Sequence, residues 1–263
     1  MTETKKSLGQ HWLHDETALL AVADAAEVGP DDTVLEVGPG LGTLTNVLVQ
    51  RAHKVVAVEF DTDLARDLSS RVLADNLEVI HQDILAFDLS KLPRDYKVAA
   101  NIPYYLTSKL VRLLLESPKP PAMTALLVQK EVAERMAAQP GALSILGISV
   151  QFYCEATLRE MVPAKLFTPP PEVDSQIIQL VRRSHPLFTD VTPQQYFRIV
   201  RAGFSEKRKK LRSSLSGGLH LSKEAADAWL ATAQISPEAR AQELSLEDWH
   251  RLVTAFDRIS PDL

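Results

Sequence analysis

The chain has 263 residues, 45% of them hydrophobic, and a net charge of −5. Such a length and apolar content supply one large core and a smaller second one, while the acidic balance argues against a generic nucleic-acid coat protein and leaves any nucleic-acid contact to a local basic face. Cys154 is the single cysteine, which excludes an intrachain disulfide, and the seven histidines show no metal-ligand spacing, so no metal is expected.

Met1 to Lys6 are polar and charged, with no apolar segment of a secretory leader, and no run approaches the roughly 18 apolar residues of a membrane span. A cytoplasmic protein without a membrane partner is expected. Residues 33–37, 54–58, 77–81, 97–100 and 123–128 are predicted strands. Residues 44–51, 61–73, 107–116 and 131–137 are predicted helices, and the alternation predicts an α/β fold with a doubly wound parallel sheet. Segments 148–157 and 173–182 read as further β structure, separated by the proline-dense Phe167-Thr168-Pro169-Pro170-Pro171, a stiff extended link. After His185-Pro186 the pattern changes. Residues 194–202, 206–215, 222–232 and 246–256 are predicted helices, with Ser222, Ser236 and Ser245 as candidate caps. Two domains are expected, 1–184 and a small all-helical 185–263.

Glu36-Val37-Gly38-Pro39-Gly40-Leu41-Gly42 follows the first strand of the sheet. Its G-x-G-x-G spacing, stiffened by Pro39, departs from the G-x-G-x-x-G of dinucleotide-binding folds and argues against nicotinamide or flavin. Glycines here also suit a plain tight turn. Glu59 ends the next strand, where a carboxylate can accept hydrogen bonds from both ribose hydroxyls, and together with Gly38 and Gly40 it points to an adenosine-containing cofactor. Asp83, past the third strand, suits the cofactor's adenine amino group or a plain surface position. In a doubly wound sheet these strand ends and Asn101 share one crevice.

Asn101-Ile102-Pro103-Tyr104 follows the fourth strand. The Asn101 side-chain carbonyl and the Ile102 backbone carbonyl can each accept a hydrogen from an exocyclic amine and direct its lone pair at an electrophilic methyl. Pro103 fixes the carbonyl direction, and Tyr104 offers a face for a flipped base. The alternative is a strand-ending turn with a buried tyrosine. The two motifs together suggest methyl transfer to an exocyclic amine, with positioning doing most of the work.

Over nearly its whole length the chain resembles the KsgA/RsmA-type ribosomal RNA adenine N6,N6-dimethyltransferase family. Lys5-Lys6-Ser7-Leu8-Gly9-Gln10-His11-Trp12-Leu13 is similar to its N-terminal signature, with His11 where Asn is usual and Trp12 where Phe is usual. Glu36 to Gly42, Glu59, Asp83, Asn101 to Tyr104 and Phe167-x-Pro169-x-Pro171-x-Val173-Asp174-Ser175 follow in the family's order. The resemblance implies a Rossmann-like S-adenosylmethionine-dependent methyltransferase sheet with S-adenosyl-L-methionine as methyl donor. It also implies that His11 and Leu13 close over the cofactor, and that Phe167 stacks on the target base opposite Tyr104. From the residues alone Phe167 is a core or linker-anchoring aromatic.

The substrate implied is a pair of adjacent adenosines near the 3′ end of small-subunit (16S) ribosomal RNA, each dimethylated during small-subunit biogenesis; a monomer is expected. Arg201, Lys207, Arg208, Lys209, Lys210 and Arg212, six cations against the single acid Glu206, suit phosphate contact in that setting, and otherwise read as a solvated helix face. Rival readings are a resistance-type large-subunit methyltransferase, a non-catalytic assembly or transcription factor of the same fold, and an adenine-specific DNA methyltransferase.

Overall fold

A computed structural model describes residues 10–206 and 208–259, with no side-chain description for 257–259. Residues 1–9, which hold the Lys5-to-Gly9 part of the N-terminal signature, and Lys207 lie outside the described residues. Two compact units are present, Met1–Glu134 with Cys154–Arg182, and Arg135–Tyr153 with Arg183–Leu263.

The first unit contains β1 (Trp12–Leu13), α1 (Glu16–Ala25), β2 (Thr33–Val37), α2 (Thr43–Val49), β3 (Lys54–Glu59), α3 (Thr62–Arg71), β4 (Leu77–His81), β5 (Lys97–Asn101), α4 (Thr107–Glu116) and β6 (Met123–Gln129). Helix α5 (Lys130–Met136) leads to α6 (Ile145–Tyr153) in the second unit. The chain then returns for β7 (Cys154–Val162), β8 (Phe167–Thr168) and β9 (Ser175–Arg182). Seven strands form one sheet in the order β4-β3-β2-β5-β6-β9-β7, and β1 pairs separately with β8. Strands β4 to β6 of that order run parallel, while β9 runs antiparallel to both of its neighbours.

The five predicted parallel strands are all present. Val34, Leu35, Val55, Val56, Ala57, Val98, Ala99 and Ala100 are buried on both faces, as continuous apolar runs require in a sheet covered on both sides. The strand order reverses between β2 and β5, which opens a crevice at their carboxyl ends. Helix α1 was not among the predicted elements. Asp15 caps it by accepting the Ala18 N–H at 2.9 Å, and its Leu19, Val22 and Ala23 join the core formed with Leu13, Val34 and Leu44.

Segment 148–157 is a correction, because residues through Tyr153 are helical and only Cys154 onward is strand. Its β-branched and aromatic residues suit either structure locally, and packing decides. As a helix the segment buries Ile148 and Phe152, four residues apart, in the core of the second unit, with the Phe152 and Tyr196 rings 4.6 Å apart. Accordingly α6 groups with the helical unit, which the predicted boundary at 185 leaves out.

That unit continues with α7 (Pro193–Gly203), α8 (Leu211–Leu219), α9 (Lys223–Thr232) and α10 (Leu246–Ile259) around Trp229, Trp249 and Leu252. Ser222 caps α9 through the Ala225 N–H and Ser245 caps α10 through the Asp248 N–H, as predicted. Ser236 instead holds the Glu238 N–H in a turn that starts no α-helix. The predicted helix 206–215 begins only at Leu211, so Arg208 and Lys209 precede it. Consecutive cations repel one another on a helix and are disfavoured at its positive N-terminal pole.

Glu36 is a carboxyl inside the central sheet, 1% exposed on β2, and its register partner is Ala57 of β3. Burial raises its pKa to about 8. The nearby Thr45 hydroxyl, outside hydrogen-bonding geometry, works against that rise, and the Glu59 charge adds to it. The folded protein therefore keeps this proton to about pH 8, whereas the unfolded chain loses it near 4.5, so this group makes stability fall as pH rises between those values. Relative to Glu36→Gln, the wild type is expected to lose on the order of 1 kcal/mol per pH unit from pH 5 to pH 8 in urea unfolding. Parallel pH profiles for the two proteins would contradict the assignment.

Candidate active site

At the carboxyl ends of β2 to β5 lies a cavity of about 320 Å³, within the size range of small-molecule sites. His11, Leu13, Gly38, Gly40, Glu59, Asp83, Asn101, Ile102, Pro103, Tyr104 and Phe167 all line it. The first unit thus brings together every predicted catalytic and cofactor residue. The predicted RNA-binding cations belong to the other unit.

The glycine turn leaves β2 with positive φ at Gly38, Gly40 and Gly42. A Cβ on Gly40 would lie 2.5 Å from the Trp12 ring, and one on Gly42 would meet Leu68 and Val72 at 2.9 and 2.8 Å, so close packing as well as backbone angle demands glycine at both positions. The Gly40 N–H donates to Glu59 Oε2 at 3.0 Å, and the Asp61 N–H donates to Glu59 Oε1 at 2.8 Å. Glu59 is 6% exposed. Burial raises its carboxyl above the usual range, and these backbone N–H groups oppose the rise. Each carboxylate oxygen keeps a lone pair for a further donor. Asp83 is exposed, and its Oδ1 accepts the Leu85 N–H at 2.9 Å, which caps the 3-10 turn Ile84–Ala86 and orients the carboxyl.

At the end of β5 the Asn101 amide nitrogen lies 3.5 Å from the His11 carbonyl, the outer limit of a hydrogen bond, which turns the side-chain oxygen away from that carbonyl. The Pro103 carbonyl accepts the Leu106 N–H at 3.0 Å and opens the 3-10 turn Tyr104–Leu106. Tyr104 points inward, its hydroxyl hydrogen-bonded to Ser175 Oγ at 2.9 Å. Burial pushes this hydroxyl up, the Ser175 bond pulls it down and the Asp174 charge adds to the rise, so it stays protonated near neutrality.

The N-terminal and proline motifs meet through β1 and β8, where Leu13 pairs with Phe167 and Trp12 with Thr168. His11 Nδ1 donates to the Pro169 carbonyl at 2.7 Å, and the His11 ring stacks on Tyr104 with centroids 5.9 Å apart and planes 24° apart. Phe167 is 3% exposed within the core cluster, in keeping with a core aromatic, and it also lines the cavity. Sequence reasoning gave no separate role to Trp12, Glu36 and Ser175, although each stands inside a motif it had singled out.

In the helical unit Arg201, Arg208 and Lys209 are exposed. Lys210 pairs with Glu238, and Arg212 with Asp227 at 3.1 Å. Among the described residues no group of three or more His, Cys, Asp or Glu is arranged to hold a metal ion, and no helix is long and apolar enough to cross a membrane.

The sequence profile of the family described as ribosomal RNA adenine dimethylase matches residues 1–258. The chain is 41% identical to ribosomal RNA small subunit methyltransferase A of Dehalococcoides mccartyi, over 96% of this chain and 88% of the relative. It is 38% identical to the protein of that name from Enterococcus faecalis, over 98% and 92%. Among solved structures it is similar to the 23S rRNA methyltransferase ErmE, with TM-score 0.77, 31% identity and coverage of 94% of this chain and 99% of that one. It is also similar to a dimethyladenosine transferase from Plasmodium falciparum, with TM-score 0.78, 28% identity and coverage of 94% and 98%. With the family profile covering residues 1–258 and the relatives matching over nearly their whole length, the chain belongs to the ribosomal RNA adenine dimethylase family.

Proposed function

We propose that this protein uses S-adenosyl-L-methionine to dimethylate N6 of two adjacent adenosines near the 3′ end of small-subunit ribosomal RNA, acting in the cytoplasm during subunit biogenesis. The observation that carries the reading is the meeting of Asn101-Ile102-Pro103-Tyr104 with the glycine turn and Glu59 in one cavity. The choice of small subunit over large is supported by relatives named for the small subunit at 37–41% identity, against 31% for ErmE.

The residues present fit the cofactor. Gly38 and Gly40 keep the turn free of side chains, Glu59 has acceptor capacity for ribose hydroxyls, and Asp83 offers an acceptor for an adenine amino group. His11 and Leu13 line the same cavity. Bound there, S-adenosyl-L-methionine supplies an electrophilic methyl group on a sulfonium.

The adenine amine is a poor nucleophile because its lone pair is delocalised into the ring, so orientation is the main contribution left to the protein. The Asn101 side-chain oxygen and the Ile102 carbonyl accept the amine hydrogens and leave the lone pair directed at the methyl. Pro103 holds the turn, and Tyr104, pinned by Ser175, presents its ring to the base, while Phe167 lines the same cavity. A once-methylated amine still has one hydrogen to donate, which two small acceptors accommodate after rotation. Arg201, Arg208 and Lys209 supply exposed charge for RNA phosphates, and Lys207 adds a cation to the same stretch of sequence. Lys210 and Arg212 exchange weak surface ion pairs for phosphate contacts at little cost.

Purified protein is expected to transfer labelled methyl groups to undermethylated small subunits, up to four per particle, and not to large subunits. Label mainly in large-subunit RNA overturns the substrate, and label in neither overturns the activity. Glu59→Ala is expected to weaken S-adenosylmethionine binding by about 1–3 kcal/mol in calorimetry, and unchanged affinity removes the ribose role. Asn101→Ala is expected to slow single-turnover methyl transfer at least about a hundredfold while RNA affinity stays near wild type. A rate within a few-fold of wild type removes the positioning role.

A further inference from the structure

Eight large hydrophobic side chains are exposed among the described residues, and three of them, Phe60, Leu85 and Tyr105, line the one active-site cavity. Apolar groups gathered at a cavity mouth mark a contact surface more often than singly scattered ones do. Tyr105 is 61% exposed, directly beside the inward Tyr104. A 3-10 turn rotates successive side chains by about a third of a circle, so the geometry that sends Tyr104 to Ser175 sends Tyr105 out to the rim.

One helical turn further on, Lys109 of α4 is exposed, lines the same cavity and has no ion-pair partner among the described residues, whereas Arg112 on the same helix pairs with Glu116 at 3.0 Å. Among the described residues of the lining, Lys109 is also the one lysine or arginine, and the acids are Glu36, Glu59 and Asp83. A planar ring and an unneutralised ammonium four residues apart match the two features of a single-stranded nucleotide, its base face and its phosphate.

We infer that Tyr105 and Lys109 bind the nucleotide next to the target adenosine. This rests on the RNA-methylating reading above. When the target base enters the cavity its neighbour loses a stacking partner, and the Tyr105 ring takes that place while Lys109 holds the adjoining phosphate. Neither residue is assigned to the cofactor, so their loss leaves its affinity intact.

The test uses the full-length protein, undermethylated ribosomal subunits and Tyr105→Ala, Tyr105→Phe, Lys109→Met and Lys109→Arg. All four changes are at exposed positions, and thermal unfolding checks that each variant folds. Tyr105→Ala is expected to raise KM for the RNA substrate about tenfold without weakening S-adenosylmethionine binding, and Tyr105→Phe to restore it. Lys109→Met is expected to flatten the log–log salt dependence of RNA binding by roughly 0.7 to 0.9, and Lys109→Arg to retain it. Unchanged KM and slope overturn the inference. A loss of cofactor affinity matching the rise in KM also overturns it, by assigning the rim to the cofactor. Wild-type transfer to large subunits alone overturns only the proposed substrate, and the rim is then judged on that RNA. Transfer to neither overturns both.

Discussion

A carboxylate removed from water destabilises the fold by several kcal/mol unless its oxygens are met by donors, and Glu59 at 6% exposure is met by the backbone of Gly40 and Asp61. Those two hydrogen bonds join the glycine turn after β2, the end of β3 and the first turn of α3, because Asp61 in turn caps that helix through the Asp63 and Leu64 N–H groups. The cavity wall is thereby set by one buried side chain. Glu36 lies close enough for the Glu59 charge to raise its pKa further, and the outcome is a neutral acid beside one that holds two N–H donors. A ligand carrying positive charge suits such a crevice, since it favours the ionised form of both acids. The sulfonium and ammonium of the proposed methyl donor have that property.

The second wall depends on a different contact. The two-residue strands β1 and β8 are too short to persist alone, but they are pinned by burial of Leu13 and Phe167 and by the His11 to Pro169 hydrogen bond. This ribbon carries His11 to the ring of Tyr104, whose hydroxyl is fixed from the opposite side by Ser175 at the start of β9. The inward tyrosine is thus held by strands far apart in sequence, which gives the proposed base-binding surface the rigidity that catalysis by positioning requires. The imidazole of His11 adds a stacking surface beside that ring.

The helical unit has its own aromatic core, with Trp229 Nε1 donating to the Leu252 carbonyl at 2.9 Å and the Phe152, Phe188, Tyr196 and Phe197 rings in mutual contact. The exposed Arg208 and Lys209 lie between α7 and α8, where their like charges do not have to share one helix face.

Much of this was legible in the amino-acid sequence. The five parallel strands, the glycine turn, the acid at the end of β3 and the Asn101-to-Tyr104 tetrapeptide follow from period, turn chemistry and strand-end position, which are short-range properties of the chain. The Ser222 and Ser245 caps are equally local. Residues 148–153 were misread because a β-branched, aromatic run satisfies either period locally, and the helix is chosen by what Ile148 and Phe152 bury. Helix α1 carries its own local signal, the Asp15 cap followed by Ala18, Leu19, Val22 and Ala23 at helical spacing in an alanine- and leucine-rich run, yet the predicted elements omit it. The partners that complete the cavity were beyond local reading, since His11 meets Pro169 158 positions away and Tyr104 meets Ser175 71 positions away. The sequence by itself determined the strand-end chemistry, because sterics and backbone hydrogen bonding act within a few residues. Only the tertiary structure decided which tyrosine faces inward, which lysine stands at the rim and which strand closes the site, because packing compares residues that no local window holds together.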